Sequence, residues 1–332
     1  MKKLFWIFSL AGLTPFALAA HETQETASAG TQTGPLLSVQ STLGDLLRHP
    51  ALAGFALRML PWDGGRYEPD MKWQNAASLM PYHSNIYPQE IVSSINRLIA
   101  DAQNGQTVFY DFYTDAQKRR EPDKKHTGLF FFRGKEGAPF AVVCPGGGFA
   151  YVGALHEGFP VAQKISESGF NAFVIKYRAG SGQWAVEDLA AALSYIEKHA
   201  EELGVAARGY SLWGGSAGAR MAAAVGSYGT AVFGADEVSK PAAVIMAYTG
   251  QSSFTPQDPP TFIAVGDHDY IATAAVMARR AEGLRRAGVP MEFHEYKGLR
   301  HGFGLGTGTA AEGWVKQAVE FWKKFIKQEK KA

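Results

Sequence analysis

A serine flanked by glycines is the residue best placed to do chemistry in this sequence. The run Gly214-Gly-Ser216-Ala-Gly218 fits the pattern G-x-S-x-G, in which a serine lies at a sharp turn from a strand into a helix. Residues 210–213 predict the end of a buried strand, and residues 217–227 predict a tightly packed helix. Such a turn strains the backbone and exposes the hydroxyl, while the glycines let strand and helix approach closely. Ser216 is therefore predicted to be a nucleophile.

A run of glycines follows another predicted strand. Attack by a serine on a carbonyl group places a negative charge on the carbonyl oxygen, and such a run can stabilise that charge. Residues 140–144 are wholly apolar, and Pro145-Gly146-Gly147-Gly148 follows them. Consecutive glycines allow backbone N–H groups to turn toward one point and stabilise an oxyanion. A phosphate site is the alternative, but the spacing fits neither G-x-G-x-x-G nor G-x-x-x-x-G-K-[ST]. We therefore predict an oxyanion loop.

Acidic residues follow a third predicted strand, residues 261–265, in the run Gly266-Asp267-His268-Asp269. A carboxylate at this place can orient a catalytic histidine and stabilise its imidazolium. Spacing alone does not choose between Asp267 and Asp269. A metal site is a further interpretation of Asp-His-Asp, but no second ligand cluster and no His-Glu-x-x-His accompany it. We predict neither a metal nor a cofactor.

A histidine in a glycine-bounded loop follows the last predicted strand, residues 292–296. His301 can swing from this loop toward Ser216, whereas His294 lies inside the strand and is predicted to pack there. In hydrolases whose nucleophilic serine lies on a strand-to-helix turn, the nucleophile, the acid and the histidine follow one another along the chain in this order, Ser, Asp, His. His301 is therefore predicted to be the base.

The elements that must position these residues alternate along the chain. The predicted strands are residues 107–113, 128–133, 140–144, 173–177, 210–213, 242–247, 261–265 and 292–296. Helical patterns separate the later strands, and this alternation predicts an α/β fold with a mostly parallel central sheet and helices on both faces. In such sheets ligands bind at the carboxyl ends of the strands, where the residues above all lie.

Together these motifs resemble the α/β-hydrolase fold. More narrowly, they are similar to bacterial carboxylesterases related to the acetyl-esterase and hormone-sensitive-lipase groups. The resemblance spans residues 107–327, and its motifs are Pro145-Gly-Gly-Gly-Phe149, Gly214-Gly-Ser216-Ala-Gly218, Gly266-x-x-Asp269 and His301-Gly-Phe303. One departure is Pro145, which stands where a histidine often precedes the glycines.

The resemblance implies a role for each matching residue. Ser216 would be the nucleophile, His301 the base and Asp269 the orienting acid. The oxyanion hole would consist of the N–H groups of Gly147, Gly148 and Ala217. The implied reaction is acyl transfer through a covalent acyl-serine.

Aromatic residues close to these motifs are candidates for binding a small-molecule ester. The predicted substrate-binding residues are Phe149, Tyr151, His156 and Phe303. We expect a short acyl group, especially acetyl, on a carbohydrate or another polar alcohol. One alternative is a serine peptidase related to the oligopeptidases, which the lack of a large amino-terminal propeller domain disfavours. The other is a non-catalytic binding protein on a hydrolase scaffold.

The beginning of the chain has the pattern of a secretory signal. Lys2 and Lys3 precede an apolar run, residues 4–18, and Ala17-Leu-Ala19 supplies small residues for cleavage. Residues 1–20 are therefore predicted to be a signal peptide of a periplasmic or secreted protein. We expect a disordered linker over residues 21–40, a helical extension over residues 41–105 that is a candidate cover for the site, and the catalytic domain over residues 106–330.

Charge and cysteine content narrow the range of partners. The 33 basic residues exceed the 31 acidic residues by two, which is the number of lysines in the predicted signal, so the exported chain would be formally neutral. The sequence has no basic stripe of the kind that binds nucleic acid, so we expect no nucleic acid partner. It also has no second apolar run of membrane-spanning length, so we expect no stable membrane insertion after cleavage. Cys144 is the single cysteine, which rules out an internal disulfide, and we expect it to be a core residue.

Overall fold

A central sheet of eight strands organises the chain from residue 109 onward in a computed structural model that describes residues 34–329. The strands are β1 Phe109–Tyr110, β2 Gly128–Phe132, β3 Pro139–Cys144, β4 Asn171–Lys176, β5 Ala206–Gly215, β6 Ala243–Ala247, β7 Thr261–Gly266 and β8 Met291–Tyr296. Their order in the sheet is β1-β2-β4-β3-β5-β6-β7-β8. Strand β2 runs antiparallel to both of its neighbours, and all pairs from β4 to β8 are parallel. The predicted mostly parallel sheet is confirmed.

Helices precede the sheet and separate most of its later strands. They are α1 Leu43–Leu47, α2 Pro88–Gln103, α3 Asp115–Arg120, α4 Phe159–Glu167, α5 Gly182–Lys198, α6 Ala200–Leu203, α7 Ala217–Tyr228, α8 Ala274–Arg286 and α9 Trp314–Glu329. The path from β3 to β4 runs one way across the sheet, and the path from β4 to β5 runs back. Because such crossovers are right-handed, α4 lies on one face while α5 and α7 lie on the other. None of the helices between residues 34 and 329 has the length and apolarity needed to cross a bilayer.

This reversal of direction fixes where the site must be. In open α/β sheets a ligand crevice forms outside the carboxyl ends of the strands, at the point where the winding reverses. Here that point lies between the neighbouring strands β3 and β5, because the connection from β3 leads to β4 on one side and the connection from β5 leads to β6 on the other. Cys144 at the end of β3 pairs with Gly214 near the end of β5, so the glycine run and the serine turn start side by side.

The first strand is shorter than predicted. Residues 107–113 were expected to form a strand, but only Phe109 and Tyr110 pair with β2. The chain then turns inward, and the buried Tyr113 donates its hydroxyl hydrogen to Asp188 at 2.7 Å. This hydrogen bond attaches the chain to helix α5 three residues after the edge strand ends.

The helical extension predicted over residues 41–105 consists of α1, α2 and three short 3₁₀ turns, Pro50–Leu52, Ala56–Met59 and Trp73–Leu79. Many of its apolar side chains, among them the fully buried Trp73 and Ile95, belong to the same core as the sheet. The buried ammonium of Lys176 at the end of β4 donates to the carbonyls of Leu60 and Pro61, each at 3.0 Å. These contacts attach the extension to the sheet.

The predicted linker, residues 21–40, ends earlier than expected. Leu37 is buried, and its backbone N–H and carbonyl form hydrogen bonds of 2.8 and 2.9 Å with the side-chain amide of Asn96 on α2. The prediction of disorder is wrong for this end of the segment, because the side-chain amide of Asn96 forms hydrogen bonds with both backbone groups of Leu37, as a neighbouring strand would. The predicted signal peptide and residues 21–33 lie outside the described residues.

Candidate active site

Ser216 occupies a strained turn between β5 and α7. Its backbone angles are φ 51° and ψ −115°, a left-handed conformation that is unusual for a residue with a side chain. A Cβ at Gly214 would collide with the backbone of Gly218, and a Cβ at Gly218 would collide with the carbonyl of Cys144. The two glycines are therefore required for the strand and helix to meet at this angle. Ser216 is half-buried, and its hydroxyl lies beside the ring of His301.

His301 lies in the loop after β8 and connects the serine to an acid. Its Nε2 is 2.8 Å from Ser216 Oγ, and its Nδ1 is 2.7 Å from Asp269 Oδ2. An ionised carboxylate only accepts hydrogen bonds, so Nδ1 carries the hydrogen and Nε2 is free to accept the serine proton. Both His301 and Asp269 are buried. The loop geometry thus brings together the three residues that the motifs predicted.

The structure also separates the two acids that spacing left equivalent. Besides His301, Asp269 accepts the N–H groups of Ile271 and Ala272 on its other oxygen, at 2.9 and 2.7 Å. Asp267 is exposed and accepts the N–H of Gly298 at 2.6 Å. Asp269 is therefore the acid that contacts His301, and Asp267 binds the turn at Gly298 that precedes the loop of His301.

The glycine run after β3 lies against the serine. Gly147 and Gly148 have φ angles of 128° and 64°, and a Cβ at Gly147 would collide with the carbonyl of Tyr151. Within residues 34–329 the N–H groups of these two glycines donate to no acceptor. Ala217 is the first residue of α7, so its N–H has no partner within the helix. The loop and the helix start can therefore offer amide hydrogens to an oxyanion.

A buried carboxylate that the sequence motifs did not point to supports this loop. Glu157 lies in a single π-helical turn, Ala154–Gly158, and its Oε2 accepts the N–H of Gly146 at 2.5 Å. Its Oε1 lies 2.9 Å from Nε2 of His83, with both side chains 2% exposed. Burial by itself would raise the pKa of Glu157, but His83 and the Gly146 amide outweigh burial and lower it to about 2.

The turn around His83 contacts both loops of the site. The hydroxyl oxygen of Tyr151 accepts the N–H of Tyr82 at 3.0 Å and lies 2.8 Å from His83 Nδ1. Ser84 donates its hydroxyl hydrogen to the carbonyl of His301 at 2.8 Å. No residue of the extension lines the cavity beside Ser216, and the extension contacts the site through Tyr151 and the loop of His301.

That cavity has a volume of about 170 Å³, and residues from the segments that follow β3, β5, β6 and β7 line it. Of the residues singled out by the sequence analysis, Phe149, Gly148 and Ala217 line this cavity with Ser216, whereas Gly147 does not. Arg220 and Thr249 also line it, and no sequence motif had singled them out. Within residues 34–329 no cluster of three or more His, Cys, Asp or Glu side chains is arranged to hold a metal ion.

Three of the predicted substrate-binding residues lie in the core instead. Tyr151 and Phe303 are fully buried, and His156 is 1% exposed. Tyr151 packs on Trp62 at 4.7 Å between ring centroids, Phe303 packs on Tyr248 at 4.6 Å, and His156 Nε2 donates to the carbonyl of Gly302 at 3.0 Å. The prediction that these three residues line the cavity is wrong, because their neighbours enclose them completely.

Comparisons with known proteins agree with this architecture. The BD-FAE family model matches residues 132–242, and the model of the prolyl oligopeptidase family matches residues 236–329. MGS-M1, an α/β-hydrolase enzyme from a Medee basin deep-sea metagenome library, is 21% identical with a TM-score of 0.52, over 60% of this chain and 93% of that one. The chain has the α/β-hydrolase fold.

Two further structures with this fold are similar to the chain. An acetyl ester-xyloside bifunctional hydrolase from Caldicellulosiruptor lactoaceticus has a TM-score of 0.57 and 19% identity, covering 65% of this chain and 95% of that one. A thermophilic esterase from Thermogutta terrifontis, with propionate bound, has a TM-score of 0.52 and 21% identity over 60% and 89% of the two chains. No curated protein matches the sequence. The α/β-hydrolase fold that the motifs predicted is thus confirmed.

Proposed function

We propose that the protein is a serine carboxylesterase that hydrolyses short-chain esters through an acyl-serine intermediate. The observation that carries the proposal is the pair of hydrogen-bond distances at His301, 2.8 Å to Ser216 Oγ and 2.7 Å to Asp269 Oδ2. This is the relation between nucleophile, base and orienting acid that acyl transfer requires.

The proposed reaction has two halves. Ser216 Oγ attacks the ester carbonyl while His301 Nε2 takes its proton, and the carbonyl oxygen becomes an oxyanion that the amides of Gly147, Gly148 and Ala217 are available to stabilise. His301 then gives the proton to the departing alcohol, which leaves the acyl group on Ser216. Water, deprotonated by His301, attacks the acyl-serine, and the acid and the free serine result. Each amide donor to the oxyanion contributes about 3 kcal/mol to lowering the barrier.

A small acyl group fits the size of the cavity, about 170 Å³. The Thermogutta terrifontis esterase has been solved with propionate and with butyrate bound, and the Caldicellulosiruptor lactoaceticus enzyme is described as an acetyl ester-xyloside bifunctional hydrolase. We extend these substrate classes to this chain as part of the proposal. Export directed by residues 1–20 would bring the enzyme to acetylated carbohydrates outside the cytoplasm.

A peptidase is the second candidate, because the prolyl oligopeptidase family model matches the segment that holds Asp269 and His301. Amide and ester substrates with the same acyl group distinguish the two. An esterase hydrolyses the esters and leaves unactivated peptides intact, whereas a peptidase cleaves both.

The proposal is tested by labelling and by one substitution. A fluorophosphonate probe should label the wild-type protein, and Ser216→Ala should abolish both labelling and hydrolysis of 4-nitrophenyl acetate. Circular dichroism and the melting temperature of Ser216→Ala serve as controls for folding. Labelling at the wild-type level in a folded Ser216→Ala protein would refute the assignment, and an unlabelled wild-type protein would favour a non-catalytic binding role.

A further inference from the structure

An arginine without an acidic partner lines the cavity that contains Ser216. Arg220 lies one turn after the serine on α7 and is exposed. Among residues 34–329 no carboxylate lies within ion-pair distance of its guanidinium. A Cβ placed on Gly250 would lie 3.3 Å from Arg220 Nη2, so the guanidinium rests against the loop that follows β6.

A threonine in that loop has an unsatisfied hydroxyl. Thr249 is 1% exposed, and its Oγ1 is buried without a hydrogen-bond partner among the described residues. A buried hydroxyl without a partner is costly and rare in folded proteins. Thr249 lines the same cavity as Ser216 and Arg220, and the preceding residue, Tyr248, has a left-handed φ of 35°.

Asp269 precedes the cavity-lining residues Ile271 and Ala272 by two and three positions, but both of its carboxylate oxygens already accept hydrogen bonds. One oxygen of Asp269 faces His301, and the other accepts two backbone N–H groups. Arg220 and Thr249 both line the cavity, and among the described residues the guanidinium has no carboxylate partner and the Thr249 hydroxyl has no hydrogen-bond partner. A guanidinium presents its donors in a plane that matches a carboxylate.

We infer that Arg220 and Thr249 bind a carboxylate on the substrate, so that the preferred substrates are small esters that also carry a free carboxylate. This inference rests on the proposed esterase function and narrows its substrate class. Phe149 and Ile271 supply the apolar part of the same cavity. A short hydrocarbon spacer between the ester and the carboxylate therefore fits the lining.

Two pairs of esters test the inference, each with and without a carboxylate. Monomethyl succinate against methyl butyrate places the charge on the acyl side, and 4-acetoxybenzoate against phenyl acetate places it on the alcohol side. Hydrolysis is followed in a pH-stat, and the measured quantity is the ratio of kcat/KM for the charged ester to that for the neutral one.

Arg220→Ala should lower this ratio by at least tenfold for one of the two pairs, and that pair identifies the side of the ester that carries the charge. Arg220→Lys should keep an intermediate ratio because it retains the charge but not the planar donors. Thr249→Val, which is nearly isosteric, should lower the ratio by a smaller factor. Arg279, exposed on α8, provides the control, since Arg279→Ala should leave both ratios unchanged.

Ionic strength gives an independent readout. Added salt should lower the wild-type ratio toward that of Arg220→Ala, because screening weakens the attraction between the guanidinium and the substrate. If Arg220→Ala has the wild-type ratio for both pairs, the carboxylate site is refuted while the esterase function stands. If no ester is hydrolysed in a Ser216-dependent way, both proposals are refuted.

Discussion

Glu157 accepts the N–H of Gly146 at 2.5 Å, one residue before the first amide of the candidate oxyanion hole. A Cβ on Gly215 would collide with the same carboxylate oxygen of Glu157, so the carboxylate touches both the glycine run and the serine turn. Because His83 Nε2 lies 2.9 Å from the other oxygen of Glu157, the extension is coupled to the glycine run through one buried side chain. Glu157 is thus a positioning residue for the site.

We predict that Glu157→Gln lowers kcat for 4-nitrophenyl acetate by about tenfold, with a smaller change in KM. The neutral amide keeps the size of the side chain but loses the charge that holds Gly146 and His83, and a misplaced oxyanion donor acts on the transition state more than on substrate binding. Steady-state kinetics measure the split between kcat and KM.

The control for this substitution is Glu167→Gln on the adjoining helix α4, where the glutamate pairs with Lys164 at the surface. This exchange should change neither kcat nor KM. A Glu157→Gln enzyme with wild-type kcat would show that the carboxylate has no influence on the glycine run.

The two acids after β7 should respond very differently to loss of charge. We predict that Asp269→Asn lowers kcat by a factor on the order of 10⁴, because the amide favours the wrong tautomer of His301. Asp267→Asn keeps an oxygen that can accept the Gly298 N–H and should cost less than tenfold. Both variants are assayed with 4-nitrophenyl acetate, and a larger loss for Asp267→Asn would reverse the assignment.

The conformation of Gly147 should be essential for catalysis. Gly147→Ala would force the loop away from the carbonyl of Tyr151, and displacement of one donor lowers kcat by about 10²- to 10³-fold. Gly137 is the matched control, since its φ is also positive, at 70°, but a Cβ there meets nothing within 4 Å. Gly137→Ala should lower the melting temperature slightly and leave kcat unchanged, whereas equal effects on kcat would contradict the oxyanion role.

Stability should fall in mild acid because of His156. Burial, together with nearby His83, lowers the pKa of His156 to about 4, although its contacts with Glu157 and Gly302 act the other way. In the unfolded chain His156 has a pKa of 6.5, so between pH 6.5 and pH 4 the unfolded protein binds more protons than the folded one. The free energy of unfolding therefore decreases as the pH falls from 6.5 toward 4. We predict a decrease of about 2 kcal/mol in the free energy of unfolding from pH 7 to pH 5.

Urea unfolding at the two pH values measures this decrease. His156→Gln can still donate to Gly302 but does not titrate, so it should lose most of the pH dependence. His268→Gln, at an exposed position, should retain it. If His156→Gln shows the wild-type pH dependence, another group is responsible.

Acyl-chain length should be limited by the small cavity. A series of 4-nitrophenyl esters from acetate to decanoate is expected to give its highest kcat/KM at two to four carbons, because a cavity of about 170 Å³ leaves longer chains exposed to water. A maximum at eight carbons or more would contradict the short-chain proposal.

Much of the site was predictable because its residues follow strands that local sequence patterns define. The glycines around Ser216 are needed for a local backbone conformation, and such a need is visible in a short motif. The same holds for Gly147 and Gly148, whose positive φ angles require residues without a Cβ. His301 followed from its position after the last strand of the series.

The sequence by itself determined the alternation of strands and helices, the serine turn and the glycine run, since each depends on neighbours within a few residues. Only the tertiary structure decided between Asp267 and Asp269, buried the predicted pocket residues Tyr151 and His156, and brought Glu157 to Gly146. Ser84, which holds the loop of His301, lies 217 residues away in the chain. Contacts of that range depend on how the sheet and the extension pack together, and no local pattern of residue types encodes them.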